Sequence, residues 1–155
     1  MKIRSVKSNN HRKAFEVRTS ARVLAFPFAK ASPQPSVKDA LIRVWVDPEL
    51  GREGFTYVLQ SGREGTIHID QVLEYNQDPR YMRDLLLHKL TIEAIRRVEK
   101  TWLSKREIIR RLGTSATQFY RLLDPTNYRK SIDQMLRLLS VLDCEVELVV
   151  RERSG

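Results

Sequence analysis

The stretch LSKREIIRRLGTSATQFYRLL, residues 103–123, predicts two short helices joined by a tight turn. Ser104 is placed to cap the first helix, and Glu107, three positions later, completes the pattern of a capping box. Gly113 follows the last apolar residue of that helix, where a helix end often needs a left-handed residue without a Cβ atom. Ser115 can then cap a second helix, so the predicted turn is very short.

Two helices held at a large angle by a short turn that contains glycine form a helix-turn-helix. The chain resembles the phage-repressor-type, or Xre-like, family of DNA-binding domains at several places. These are residues 111–115 (RLGTS), the apolar pair Phe119 and Leu122, and residues 131–139 (SIDQMLRLL). The resemblance implies an all-α, lambda-repressor-like domain in which the second helix of the pair is the recognition helix.

Carried over position by position, the resemblance implies two groups of DNA contacts with different roles. The residues expected at base edges are Lys105, Ala116, Thr117, Gln118 and Arg121. The residues expected at phosphates are Ser115, Asn127, Tyr128, Arg129, Lys130 and Ser131. Arg121 is the principal candidate for base recognition, because a guanidinium can bond guanine O6 and N7 together. Gln118 has a second interpretation, since its amide can instead bond back to Ser115 in a capping box.

The charge of the chain favours an anionic partner. It has 28 Lys and Arg against 19 Asp and Glu, a net charge of +9. Seven basic and two acidic residues fall between Leu103 and Ser131, on the element that resembles a DNA reader. A basic face can also be simply solvated, or meet an acidic membrane surface. No apolar run approaches the length of a membrane span, so no membrane partner is predicted.

The first half of the chain has short runs of alternating apolar and β-branched residues, which predict strands. The runs are residues 3–6, 14–18, 22–28, 40–46, 55–59 and 66–69. Because turn and loop residues separate them, they are expected to form one small, mainly antiparallel sheet. An N-terminal β-rich domain is therefore predicted at residues 1–78.

A second domain is predicted at residues 79–155. Pro79 is expected to open a long helix, the helix-turn-helix follows, and residues 145–150 (EVELVV) are predicted to form a strand. Such a strand needs a partner, so it is expected to join the N-terminal sheet or its own copy in a homodimer. The predicted fold class is α+β: a small antiparallel β-sheet domain followed by an all-α lambda-repressor-like domain with a C-terminal strand.

The sequence lacks the side-chain patterns of a catalytic or metal site. His11, His68 and His88 stand far apart, without the spacing of metal ligands. The single cysteine, Cys144, excludes an internal disulfide and fits a reducing cytoplasm. His68 and Asp70 can share one face at a strand end, but such a pair alone is weak support for acid–base chemistry. The predictions are therefore no enzyme, no metal and no cofactor.

The function predicted from these features is sequence-specific binding of double-stranded DNA by a cytoplasmic, homodimeric transcriptional regulator. An alternative is an antitoxin that binds a toxin protein with its other half and represses its own operon. A neighbouring toxin-like reading frame would discriminate between the two. A third class is an adaptor whose helix-turn-helix packs on protein, and the polar or small residues Ala116, Thr117 and Arg121 disfavour it.

Overall fold

The strands of the first half form two separate three-stranded antiparallel sheets in the computed structural model, which describes residues 1–153. The first sheet contains β1 (Ile3–Asn9), β2 (Ala14–Thr19) and β3 (Val23–Pro27). The second contains β4 (Leu41–Val46), β5 (Gly54–Leu59) and β6 (Glu64–His68). The helices are α1 (Ile69–Tyr75), α2 (Pro79–Lys100), α3 (Lys105–Leu112), α4 (Ala116–Leu122) and α5 (Ile132–Val141). The chain divides into two compact units, Met1–Met82 and a second that begins at Arg83.

The predicted fold class is wrong in two respects, although the chain does mix helices and antiparallel strands. The single predicted sheet is two sheets, because each strand pairs only with its neighbours in sequence and a proline-containing loop separates β3 from β4. The second half is not an all-α domain closed by a strand. Residues 144–153 form neither helix nor strand, so the strand predicted at residues 145–150 is not part of this fold.

Aromatic side chains fill the core of the first unit. The ring of Phe15 lies 4.9 Å from that of Phe28, 5.0 Å from that of Phe55 and 5.1 Å from that of Tyr57, measured between centroids. All four rings are buried. The Tyr57 hydroxyl donates a hydrogen bond of 2.7 Å to the Pro33 carbonyl, so the polar end of this ring is satisfied inside the core.

Four helices, α2 to α5, surround the core of the second unit. Its buried side chains are Leu87, Ala94, Leu103, Ile108, Phe119, Leu122, Met135, Leu138, Leu139 and Leu142. The predicted start of α2 at Pro79 is confirmed. None of the described helices combines the length and the apolar run that crossing a membrane requires. This second unit carries every residue of the predicted DNA interface.

Replacing Gly65 with alanine is expected to destabilise the first unit. The added Cβ would overlap the hydroxyl and ring of buried Tyr57. Overpacking of this kind costs about 1–3 kcal/mol. Urea unfolding followed by near-ultraviolet circular dichroism should show the loss. Glu64→Ala, at the exposed neighbouring position on β6, is the control, and equal stability of the two variants would contradict the packing described.

Candidate nucleic-acid interface

The turn between α3 and α4 has the backbone conformation that the sequence predicts. Gly113 has φ 70° and ψ 35°, the left-handed conformation, and its amide bonds the carbonyls of Ile109 and Arg110, each at 3.1 Å. Ser115 then begins α4, and its hydroxyl accepts a hydrogen bond of 3.1 Å from the Gln118 amide. The predicted left-handed glycine and the predicted serine cap are both confirmed.

The two capping boxes predicted for α3 and α4 are only half formed. Ser104 accepts a bond of 3.1 Å from the Glu107 amide, but the Glu107 carboxylate bonds Arg110 and Arg111, each at 2.9 Å. Hydrogen bonds from Arg110 and then Arg111 lower the pKa of Glu107 to about 2. In the described structure the Gln118 side chain likewise makes no reciprocal bond to the Ser115 backbone, so its side-chain amide is not used in a capping box.

Burial of one side of each helix leaves the predicted base-reading residues at the surface. Ile108 and Phe119 are fully buried and Leu122 is 3% exposed, which holds α3 and α4 against the core. The predicted base readers Lys105, Ala116, Thr117 and Arg121 are exposed, and Gln118 is half-buried. The Lys105 ammonium lies 5.9 Å from the centre of the Tyr120 ring, so the start of α3 contacts the middle of α4.

An open polar groove of about 530 Å³ brings five of the predicted contact residues together. Its lining comes from α4, the loop at residues 123–131 and α5: Gln118, Arg121, Asp124, Thr126, Asn127, Arg129, Lys130 and Gln134. The predicted base readers Gln118 and Arg121 thus share one surface with three predicted phosphate contacts. The groove is too open and too polar for a small apolar ligand.

The residues predicted at phosphates differ in how accessible they are. Ser115, Tyr128, Arg129 and Ser131 are exposed, whereas Asn127 is half-buried. Ser131 forms a complete capping box with Gln134 at the start of α5. The Asn127 side chain donates 3.1 Å to the Arg121 carbonyl and accepts 3.1 Å from the Arg129 amide. Asn127 therefore shapes the loop, and Arg129 is the cation that the loop presents.

Lys130, which is predicted to contact a phosphate, is buried in this structure. It is only 4% exposed, and its ammonium donates to the carbonyls of Leu122 at 2.8 Å and Asp124 at 2.9 Å. Burial lowers the pKa of this ammonium, and the charge of Asp124 partly offsets that effect. A helix leaves its last carbonyls without internal partners, and Lys130 satisfies that of Leu122, the last residue of α4. Its charge is therefore directed at the protein backbone in this structure.

Two arginines without a predicted DNA contact lie close to the predicted contact residues. The Arg83 guanidinium, on α2, donates to the carbonyls of Tyr128 at 3.0 Å and Lys130 at 3.4 Å, which supports the loop from behind. No sequence pattern links residues so far apart. Arg106 is exposed in the first turn of α3, next to Lys105. The charge count of the stretch included it, but the resemblance gave it no role.

The structure shows what surrounds the histidine, the aspartate and the cysteine that were considered above as possible reactive groups. His68 is the N-cap of α1: its Nδ1 accepts 3.1 Å from the Asp70 amide, and its own amide bonds Gln71. His68 and Asp70 are therefore parts of a helix start. Cys144 is a half-buried free thiol. Within residues 1–153, no group of His, Cys, Asp and Glu side chains could hold a metal ion.

Comparisons with protein-family models, with curated proteins and with solved structures each found no match. What the groove beside α4 binds must therefore be inferred from its own side chains.

Replacing Gly113 with valine is expected to lower the free energy of unfolding by about 1–3 kcal/mol, because a β-branched residue is strained at positive φ. No atom lies within 4 Å of the position that a Cβ would take, so the cost comes from backbone conformation and not from a clash. Gly113→Asn is the matched control, since asparagine tolerates this conformation better. Equal losses in chemical denaturation for both variants would contradict the assignment.

Replacing Lys130 with methionine is expected to destabilise the protein by about 1–3 kcal/mol, because the Leu122 carbonyl at the end of α4 loses its donor. The Asp124 carbonyl loses one of two donors and keeps the Asn127 amide. Methionine keeps most of the buried volume, so the change isolates the hydrogen bonds. Arg129→Met, at the exposed neighbouring position, should change stability by less than about 0.5 kcal/mol. Thermal unfolding measures the stability of both variants. Similar melting temperatures would show that Lys130 does not stabilise the end of α4.

Proposed function

We propose that this protein binds double-stranded DNA in a sequence-specific manner and acts as a transcriptional regulator. The observation that carries the proposal is the groove in which Gln118 and Arg121 lie beside Asn127 and Arg129. In the proposed complex α4 is the recognition helix of a helix-turn-helix of the Xre-like type. Its exposed side would enter the major groove, and the loop after it would lie along the DNA backbone.

The distribution of charge on this face supports an anionic ligand. Lys105, Arg106, Arg121 and Arg129 are exposed, and within the described residues none of them forms an ion pair with a carboxylate. By contrast, Arg110 and Arg111 on α3 both donate to the Glu107 carboxylate. Unpaired surface cations release counterions from DNA when they meet phosphates, which gives a favourable and salt-dependent contribution to binding.

The chemistry of the exposed side of α4 supports recognition of bases. Arg121 presents a forked donor that matches the O6 and N7 acceptors of guanine. Gln118 can offer both a donor and an acceptor to adenine, since its side-chain amide is not used in a capping box. Ala116 and Thr117 are small enough to let the start of the helix approach base edges, and Thr117 can contact a thymine methyl group.

The proposed setting is the cytoplasm, where a transcriptional regulator acts. A single thiol, Cys144, at a half-buried position is compatible with a reducing compartment. The exposed surface of α4 is polar, basic or small where it would meet DNA, which favours this function over an adaptor that packs its second helix on another protein.

Two alanine variants are expected to affect DNA binding in different ways. The preferred site is first selected from random duplexes, and affinities are then measured by fluorescence anisotropy across a range of salt concentrations. Arg121→Ala should relax the preference at one base pair, worth about 1–3 kcal/mol of discrimination, and leave the salt dependence mostly intact. Arg129→Ala should weaken all sequences alike and reduce the slope of log K against log salt by about 0.9.

Lys89→Ala is the charge-matched control, because Lys89 is exposed on α2 and outside the proposed interface. It should leave both the preference and the slope unchanged. The absence of any preferred duplex would overturn the proposal of sequence-specific binding. If Arg129→Ala altered base preference while Arg121→Ala weakened every sequence equally, the placement of α4 in the major groove would be wrong.

A further inference from the structure

The chain that follows α5 exposes apolar side chains that the second unit does not cover. Residues 145–151 (EVELVVR), here named the terminal segment, form neither helix nor strand. Val146 is 49% exposed, Leu148 79% and Val150 85%. Clustered exposed aliphatic residues of this kind are rare on monomeric surfaces and mark sites of association.

The terminal segment leaves α5 through a defined bend. Asp143 has a positive φ of 60°, and the Cys144 amide bonds the Leu139 carbonyl at 3.0 Å. The segment therefore begins directly at the end of a packed helix, without a long flexible linker. Its start is fixed, while its own backbone groups make no strand pairing within residues 1–153.

The sequence of the terminal segment is suited to pairing with itself. In an extended chain Val146, Leu148 and Val150 point to one face, and Glu145 and Arg151 point to the other. In an antiparallel pair centred on Leu148, the two copies of Leu148 lie opposite each other and each Val146 lies opposite a Val150. Each Glu145 then lies opposite an Arg151, and this ion pair occurs twice because the arrangement is symmetric. On that second face each Glu147 lies opposite a Val149.

Neighbouring registers with the same symmetry place the aliphatic face less favourably. Centring the pair on Glu147 would set the two copies of Glu147 against each other, and like charges directly opposite each other are destabilising. Centring it on Val149 would pair Glu145 with Arg153 and Glu147 with Arg151 on one face. On the aliphatic face, however, it would set Val146 against Glu152, an apolar side chain against a charged one. Only the register centred on Leu148 sets the three aliphatic residues of one face entirely against each other.

We propose that the terminal segment is a self-association surface whose partner is the terminal segment of a second copy, paired antiparallel about Leu148. The interface is small, so the dimer is a weak one that responds to protein concentration. A symmetric dimer would present two copies of α4, which suits a palindromic site if the proposed DNA binding holds. Self-association does not require that function, and it is measured without DNA.

Charge reversal of the ion pair tests the proposal in the full-length protein. Sedimentation equilibrium over roughly 1–500 μM covers the range expected for a small interface. Glu145→Arg and Arg151→Glu should each weaken the dimer about tenfold, because each places like charges opposite each other at both ends. The double variant Glu145→Arg/Arg151→Glu exchanges the charges and should restore the dimer of the unaltered protein.

The double variant also distinguishes the registers. In the register centred on Val149, position 145 lies opposite Arg153 and position 151 lies opposite Glu147. The double variant would then set an arginine against Arg153 and a glutamate against Glu147, so it would weaken the dimer further. Recovery of the dimer is therefore expected only when positions 145 and 151 face each other.

Mixing the two single variants tests whether the ion pair forms between copies. In a mixed dimer, the arginine introduced at position 145 of one copy faces the glutamate introduced at position 151 of the other. At the opposite end the unaltered Arg151 faces the unaltered Glu145. An equimolar mixture should therefore dimerise more strongly than either variant alone. Within one extended chain these two positions lie about 20 Å apart and cannot pair.

Glu99→Arg is the charge-matched control, since it makes the same change in net charge as Glu145→Arg at an exposed position on α2. It should leave the dimer unchanged, and the melting temperatures of all variants should stay close to that of the unaltered protein. A protein that stays monomeric throughout this concentration range overturns the proposal. So does a dimer that the single reversals leave intact, or one that neither the double variant nor the mixture restores.

Discussion

A helix of seven residues gains too few internal hydrogen bonds to persist alone in water, so α4 depends on its surroundings. Phe119 and Leu122 bury one side of it, Ser115 caps its start and Lys130 caps its end. These contacts form together, because the core holds the helix where the caps can reach it. The exposed side of α4, on which the proposed function rests, is thus a consequence of how its other side is packed.

The same packing determines which cations of α3, α4 and the loop at residues 123–131 are exposed at the surface. Lys130 and Arg129 are neighbours in sequence, yet one ammonium is buried on backbone carbonyls and the adjacent guanidinium stays at the surface. On α3, Glu107 engages two arginines, while Lys105 and Arg106 remain outside that network. The net charge of the stretch therefore overstates the number of cations that can meet a phosphate. The accessible ones lie at the start of α3, on α4 and in the loop after it.

Whether a feature could be predicted from the sequence depended on how far apart its partners lie. The Ser104 and Ser115 caps and the left-handed Gly113 are local, and the sequence predicted them. Burial is not local, so the prediction of a phosphate contact at Lys130 missed the inward turn of its side chain. The division of the strands into two sheets depended on the path of a loop. Alternation of apolar residues predicts that a run can be a strand, but not which edge it will meet.

The loop at residues 123–131 is ordered by its own polar contacts before any ligand arrives. The Asp124 carboxylate accepts hydrogen bonds from the hydroxyl and the backbone amide of Thr126. Both bonds lower the pKa of Asp124, and the bond from the hydroxyl has the larger effect. Asn127 joins the loop to the end of α4, and Arg83 supports it from α2. Ordering flexible side chains and loops on binding costs free energy that an already ordered loop avoids. In the proposed complex, the surface around Arg129 can therefore contribute to affinity for DNA even though only part of the positive charge of this region is exposed.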